Sequence, residues 1–361
     1  MTEVRGPDLD DQDAISSLDS EDVLGAVEKF ADQCREAWSI GITATGLPDG
    51  KGIESIVLLG MGGSGVSGDV AQSVLEPRLP VPFRVIKSYS PLPEWVGRNT
   101  LVFAVSYSGS TEETVNGLED AHTKGARVVA ISSGGPLAEL AVKYGIAHIA
   151  IPAGLQPRAS LPFLALPVLA SLQNMGLIPE ATDDVEDTIE VISKMAGPCH
   201  RSVPTRDNPA KQLANKLRDK VPVIYGGYGL GATAAMRFKC DLNEYGKSPA
   251  FWNFFPELNH NEIVGWNKLA DVTKEHFVLV LLREQGEHPR IAHRFEITQR
   301  LIGGQVGEVI ELHAEGSTPL ARLMSLIFIT QMAAIYVGLA HGVDPGPVEV
   351  ITKLKNELKD R

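Results

Sequence analysis

Residues Val105–Val115 read VSYSGSTEETV, with five hydroxyl side chains (Ser106, Ser108, Ser110, Thr111 and Thr114) around Gly109, directly after the apolar run Leu101–Val105. A plain turn needs one or two such residues. Neutral hydroxyls together with backbone N–H groups can hold a phosphate monoester without a metal. A second stretch, GMGGSG at 60–65, follows another apolar run and precedes helix-like sequence. Its glycines, Gly63 among them, let backbone N–H groups approach an anion at a helix N-terminus, and Ser64 adds a hydroxyl. Two bland readings stand beside these: a ligand-free strand-to-helix turn at 60–65, and a capping box Ser110-x-x-Glu113.

The Gly-rich stretch formally matches G-x-G-x-x-G. A dinucleotide site wants an acidic residue at the end of the next strand, and that strand ends in Lys87 and Ser88. A P-loop needs Gly-Lys-Ser/Thr, which does not follow. An NAD(P) oxidoreductase is therefore disfavoured, and an anionic small substrate is favoured. The stretch HPRIAHRF (288–295) holds two His and two Arg, but lacks further ligands at metal spacing. It reads as the solvated start of a helix.

Positioning such loops requires strands and helices in alternation. SIVLLG (55–60), FRVIKS (83–88), LVFAVS (101–106), RVVAIS (127–132) and HIAIP (148–152) are short apolar runs with helix-like sequence between several of them. That alternation means a parallel sheet covered on both faces, with loops at the carboxyl ends of the strands converging on one crevice. The second half repeats the pattern. VPVIYGGYGLGATAAM (221–236) answers the first Gly-rich unit, HFVLVLLRE (276–284) answers the Ser-rich one, and GEVIEL (307–312) answers RVVAIS. Two doubly wound α/β units related by an internal repeat follow from this. The division expected is a flexible acidic lead at 1–20, a first domain at 21–195, a Pro-rich linker at 196–210 and a second domain at 211–361. Asn208-Pro209 reads as an N-cap followed by Pro at the first helical position.

The 361 residues carry a net charge of -12, which disfavours a nucleic-acid partner. Three scattered cysteines, Cys34, Cys199 and Cys240, fit a reducing cytoplasm rather than a disulfide framework. The acidic N-terminus is not a secretory signal. Leu323–Ala340 is nearly long enough to span a bilayer, but Thr330 and Gln331 lie at its centre, and it reads as a core helix with no membrane partner.

GMGGSGVSGD together with SYSGSTEET resembles the sugar isomerase (SIS) domain, a phosphosugar-binding α/β unit. QPRAS (156–160), NEYGK (243–247), PELNHNEIVGW (256–266) and DPGPVEVITKLK (344–355) extend the resemblance, in order, to the bifunctional phosphoglucose/phosphomannose isomerases. The resemblance implies two SIS domains, a hexose 6-phosphate substrate, no cofactor and a metal-independent aldose–ketose isomerisation through an enediol. It implies that Gly63, Ser64, Ser106, Ser108 and Thr111 hold the phosphate. It makes Glu244 the base that moves a proton between C2 and C1, a role that suits a carboxylate near a helix end. His260 opens the sugar ring, as an imidazole titrating near neutrality can. Lys355 is its partner, with Lys353 as the alternative, and Arg158 stabilises the enediolate. Related isomerases are homodimers whose histidine is donated across the subunit interface. Taken singly, these residues have plainer readings; Glu244, for example, could pair with Lys247 at i,i+3. The alternative from another class is a SIS-type phosphosugar-binding regulatory protein without isomerase activity.

Overall fold

The computed structural model describes residues 6–359. The first sheet contains β1 (Ser55–Leu59), β2 (Phe83–Ile86), β3 (Thr100–Val105), β4 (Arg127–Ser132) and β5 (Ala147–Ala150), in the order β2-β1-β3-β4-β5. The second contains β6 (Val221–Gly227), β7 (Phe251–Phe255), β8 (Phe277–Arg283) and β9 (Glu308–His313), in the order β7-β6-β8-β9. Every pairing is parallel. Each chain path runs from its first strand to one side and then crosses to the other. The loops after β1 and β3 therefore flank a topological switch point, as do those after β6 and β8.

In the first sheet, Val57 and Leu59, Val102 and Ala104, and Val128 and Ala130 share one buried face with Leu118, Ala121, Leu137 and Ala141 of the helices Glu112–Thr123 and Gly135–Tyr144. On the opposite face Gly68, in the helix Gly62–Leu75, approaches Leu58 and Val85 so closely that a Cβ would lie 2.7 Å from the Leu58 side chain. Both faces are covered, which is why the strands are apolar throughout. In the second sheet Val223, Tyr225, Leu279 and Leu281 pack with Phe255, Trp266 and Phe295.

The internal repeat recurs at the two Gly-rich turns, although the helix that follows starts two matched positions later in the second half, at Leu230 rather than Gly62. A Cβ on Gly65 would lie 2.7 Å from the Gly60 carbonyl oxygen, and one on Gly226 would lie 2.0 Å from that of Gly231. Glycines five apart thus close the same strand-to-helix turn in both halves. With Gly60 matched to Gly226, the strand registers match Ser106 to Arg283 and Thr111 to His288. Thr111 and His288 are indeed both N-caps, of the helices Glu112–Thr123 and Pro289–Ile302.

The compact units differ from the linear division expected. Lys29–Ser193 and Ala314–Ser325 make one unit, carrying the first sheet. The described residues up to Glu28, Lys194–His313 and those from Leu326 onward make the other. The lead is not a flexible appendage over its described part: it forms the helix Gln12–Leu18 and buries Leu9 and Ile15. Residues 1–5 of the lead and 360–361 of the second domain lie outside the described residues.

The stretch 196–210 is no free linker either. The helix Thr182–Cys199 runs into it. Lys211, itself 1% exposed, donates from Nζ to the carbonyls of Val203 at 2.8 Å and Arg201 at 3.0 Å, and to Asp10 of the lead at 3.2 Å. A buried ammonium needs such acceptors, and supplying them orders the proline-rich segment. Asn208 caps the helix Pro209–Leu217 as its sequence predicts, accepting from Ala210 and Lys211 N–H. The apolar helix Pro319–Ala340 is long enough to cross a membrane, yet 94% of its most apolar window is buried inside the protein.

Candidate active site

In the first-sheet unit, the helix Gly62–Leu75 starts in the Gly-rich turn and the helix Glu112–Thr123 starts at Thr111. Tyr107 joins the loops that precede them. Its backbone N–H donates to Ser64 Oγ at 3.1 Å, its carbonyl accepts from Ser133 N–H and Oγ, and its hydroxyl accepts from Leu155 N–H at 2.7 Å. Gly109 has φ +69° and stands so near the Gly134 carbonyl oxygen that a Cβ would lie 1.8 Å from it. Only glycine fits there. Burial raises the pKa of the Tyr107 phenol, which keeps it a neutral hydrogen-bonding group.

The hydroxyls are arranged with donors to spare. Ser64 uses its oxygen to accept from Tyr107, so its O–H remains. Ser106 and Thr111 are 2.9 Å apart, as are Ser108 and Ser110. Each pair uses one O–H and leaves one. With Ser64 this gives a donor for each terminal oxygen of a phosphate monoester. The capping-box reading does not hold: the N-cap is Thr111, without a side-chain cap bond, and Ser110 faces Ser108. Lys87, at the position a dinucleotide fold reserves for an acid, is ion-paired with Asp69.

Arg158 lies in the single turn Pro157–Ala159 and is 5% exposed. The Gly-rich turn meets that segment directly. A Cβ on Gly63 would lie 2.8 Å from the Pro157 carbonyl oxygen and 3.3 Å from Arg158 Cα. The expected phosphate residues and Arg158 therefore assemble within one unit.

Glu244, His260 and Lys355 belong to the other unit. Glu244 is the last residue of the helix Leu230–Glu244. The next residue, Tyr245, is fully buried, and its hydroxyl accepts from Gln331 Nε2 at 3.0 Å. A Cβ on Gly338 would lie 2.4 Å from the Tyr245 carbonyl oxygen, so glycine there lets the helix Pro319–Ala340 press against the end of Leu230–Glu244. Lys247 donates to the backbone carbonyls of Glu244 at 2.5 Å and Pro347 at 2.6 Å. One turn before Glu244, Arg237 and Asp241 form a buried pair at 2.9 Å. Burial opposes the Arg237 charge, but Asp241, Tyr245 and Glu244 outweigh it and raise its pKa.

His260 ends the short 3-10 turn Glu257–His260; it is exposed, and its imidazole has no hydrogen-bond partner among the described residues. The segment that carries it is anchored through Glu262. That carboxylate accepts from the Tyr225 hydroxyl of β6 on one oxygen and from Asn253 Nδ2 of β7 on the other. Trp266 Nε1 donates to the same Tyr225 oxygen at 3.1 Å. Burial first, and the bond to Glu262 second, raise the Tyr225 pKa, so it stays a donor.

Lys355 lies on the exposed helix Glu349–Lys359. Helical spacing puts it on one face with the exposed Ile351, Leu354 and Leu358, and puts Lys353 on the opposite face.

The second Gly-rich turn also joins a strand to a helix, but it lacks the chemistry of the first. Leu230 stands where Ser64 does, and Arg283 where Ser106 does. Arg283 is held by Glu287 and by Glu311 at 2.9 Å, and lies over the Phe295 ring. Ion pairs fill the place that hydroxyls occupy in the first unit. Among the described residues no group of three or more His, Cys, Asp or Glu could hold a metal ion.

Residues 52–160 match a model of the SIS domain, and residues 206–358 match one of the bacterial phospho-glucose isomerase C-terminal SIS domain. The bifunctional phosphoglucose/phosphomannose isomerase of Caldicellulosiruptor bescii is 38% identical over 335 residues, 93% of this chain and 98% of the relative. The chain belongs to the bifunctional phosphoglucose/phosphomannose isomerase family. A second member of that family, from Aquifex aeolicus, is 35% identical over 307 residues, 85% of this chain and 91% of its own. A glucose-6-phosphate isomerase like protein from Thermus thermophilus shares the fold, with a TM-score of 0.61 at 20% identity, covering 96% of this chain and 99% of its own.

Within this family member, sequence reasoning missed Tyr107 and the residues that gather around Glu262, namely Tyr225, Asn253 and Trp266. A phenol in the middle of a serine-rich loop, and the aromatic run before NHNEI, were the available signals.

Proposed function

We propose that the chain is a metal-independent isomerase that interconverts glucose 6-phosphate, mannose 6-phosphate or both with fructose 6-phosphate. The observation that carries this reading is the cradle of neutral hydroxyls at Ser64, Ser106, Ser108 and Thr111, which Tyr107 ties to the segment of Arg158. Family membership agrees with it.

The phosphate binds to those hydroxyls and to the N–H groups of Gly63 and its neighbours. His260, with Lys355, moves a proton between O5 and O1 and opens the ring. Glu244 removes the proton from C2 of the aldose, and the electron pair of that bond forms the enediol. Returning the proton to C1, with transfer of a proton from O2 to O1, yields the ketose. Atoms and electrons balance within the sugar, so no oxidant, cofactor or metal is needed. Arg158 stabilises the charge that exists only during the reaction.

The same reading makes the chain a cytoplasmic homodimer in which His260 serves the neighbouring subunit. Its exposure and lack of a partner among the described residues support this. Mixing His260→Ala and Glu244→Gln chains would then restore part of the activity.

Coupled assays with glucose 6-phosphate and mannose 6-phosphate test the function, before and after exhaustive chelation. Conversion of at least one to fructose 6-phosphate, unaffected by chelation, is expected. Tight phosphosugar binding without turnover would instead favour a regulatory protein.

A further inference from the structure

The segment His288–Phe295 takes no part in the chemistry above. It opens the helix Pro289–Ile302, capped by His288, whose ring accepts from Arg290 N–H at 3.1 Å. Arg290, His293, Arg294, Ile297 and Thr298 share one face of that helix and form one wall of a surface cavity of about 480 Å³. Asn259 and Ile263 form the other wall, and no Asp or Glu lines it. Arg294 donates to Asn259 Oδ1 at 3.0 Å, and Asn259 donates to Thr298 Oγ1 at 2.9 Å, which holds the two walls together. The Arg290 guanidinium and the His293 imidazole have no side-chain partner among the described residues. Two arginines and a histidine thus line one concavity of a chain whose net charge is -12.

Gathering cationic groups in a hollow without a counter-charge raises the local potential and favours an anion there. We propose that this cavity is a second anion site, separate from the hydroxyl cradle. Its ligand is a small phosphate-bearing anion whose charged end meets Arg290, His293 and Arg294 and whose body rests on Ile263 and Ile297. Arginine suits this because its planar fork matches phosphate oxygens in pairs. The site lies within one unit, and its occupancy does not require isomerase activity.

Calorimetric titration of the full chain with inorganic pyrophosphate at low ionic strength tests the proposal. Two binding events per chain are expected. Arg290→Gln/Arg294→Gln should weaken one of them tenfold or more, the effect of losing charge-assisted hydrogen bonds. Arg290→Gln/His293→Asn leaves the bond to Asn259 intact, guards against a merely structural effect, and should weaken the same event. Ser106→Ala/Ser108→Ala should remove the other event; if it does not, the cradle reading fails while the second site stands. A single event, lost in the serine variant and unchanged in both arginine variants, would overturn the second site. So would arginine variants that change only the sedimentation of the protein, since the cavity would then be a contact with another copy of the chain.

Discussion

Ser64 Oγ accepts the backbone N–H of Tyr107 at 3.1 Å, and through that bond two loops that are 43 residues apart act as one surface. Tyr107 extends the surface to a third loop, because its hydroxyl accepts from Leu155 N–H. The cradle is therefore braced from outside its own serines, and its brace can be removed separately.

Tyr107→Phe should leave the hydroxyls of the cradle untouched and free the Leu155 N–H. A stability loss of ~0.5–1.5 kcal/mol is expected in denaturant titrations. The KM for fructose 6-phosphate should rise with little change in kcat. Ser108→Ala removes a donor itself and should weaken phosphosugar binding by ~1.5–3 kcal/mol. Equal binding by the Ser108→Ala and parent chains would reduce the loop to a structural turn.

Glu262 lies two residues beyond His260 and carries the same carboxylate group as Glu244. Both its carboxylate oxygens are occupied, by the Tyr225 hydroxyl and Asn253 Nδ2, so its work is to hold the segment that carries His260. Glu262→Gln should lower kcat by about tenfold, the loss of a charge-assisted hydrogen bond, while KM stays nearly the same. Hydrogen exchange at C2 of the substrate should persist in this variant. Its complete loss would make Glu262 a base after all.

The matched turns predict matched sensitivity. Gly226→Ala would drive a Cβ to within 2.0 Å of the Gly231 carbonyl oxygen, backbone against backbone. A destabilisation of ~1–3 kcal/mol or more is expected on thermal unfolding. Gly304→Ala, where the added Cβ meets nothing within 4 Å, is the control and should change little.

The sheets were legible because buried parallel strands are continuous apolar runs, and Ser55–Leu59, Arg127–Ser132 and Phe277–Arg283 end within a residue or so of where hydrophobicity ends. Strand Phe251–Phe255 was not, because it lies at a sheet edge and only Phe255 is buried, so its aromatic run lacks that mark. The lead and the proline-rich segment were misread for a different reason. Their order comes from contacts made by the fold: Lys211 reaches Asp10 and the Arg201 and Val203 carbonyls, and Thr205 donates to Asp10 as well. Composition records acidity and proline but not such a long-range contact. The site was legible where residue type alone sets the chemistry, as at the serines. Tyr107, Tyr225 and Asn253 act through where the fold puts them, and no spacing announces that.

Acid should destabilise the first-sheet unit through His148. Burial lowers the pKa of this imidazole below its ordinary value of 6.5, although Ser132 opposes the shift. The unfolded chain then binds the proton more readily than the folded one. The resulting stability is present above pH 6.5 and is lost as pH falls toward the folded-state value. Melting temperatures measured from about pH 7 down to about pH 5 should fall less steeply for His148→Asn than for the parent. Parallel slopes would mean that His148 titrates alike in both states.

We propose that Glu244, held at its helix end by the buried Tyr245 and its bond from Gln331, carries a proton between C2 and C1. Reaction of fructose 6-phosphate in D2O, followed by NMR of the aldose product, reads that transfer. The parent should place deuterium at C2, since an enediol exchanges part of its proton with solvent. Glu244→Gln should bind the phosphosugar as before, yet lose both turnover and deuterium uptake by ~10²–10⁴-fold, the contribution of a positioned base. Turnover and deuterium uptake at the parental rate in Glu244→Gln would mean that another group moves the proton.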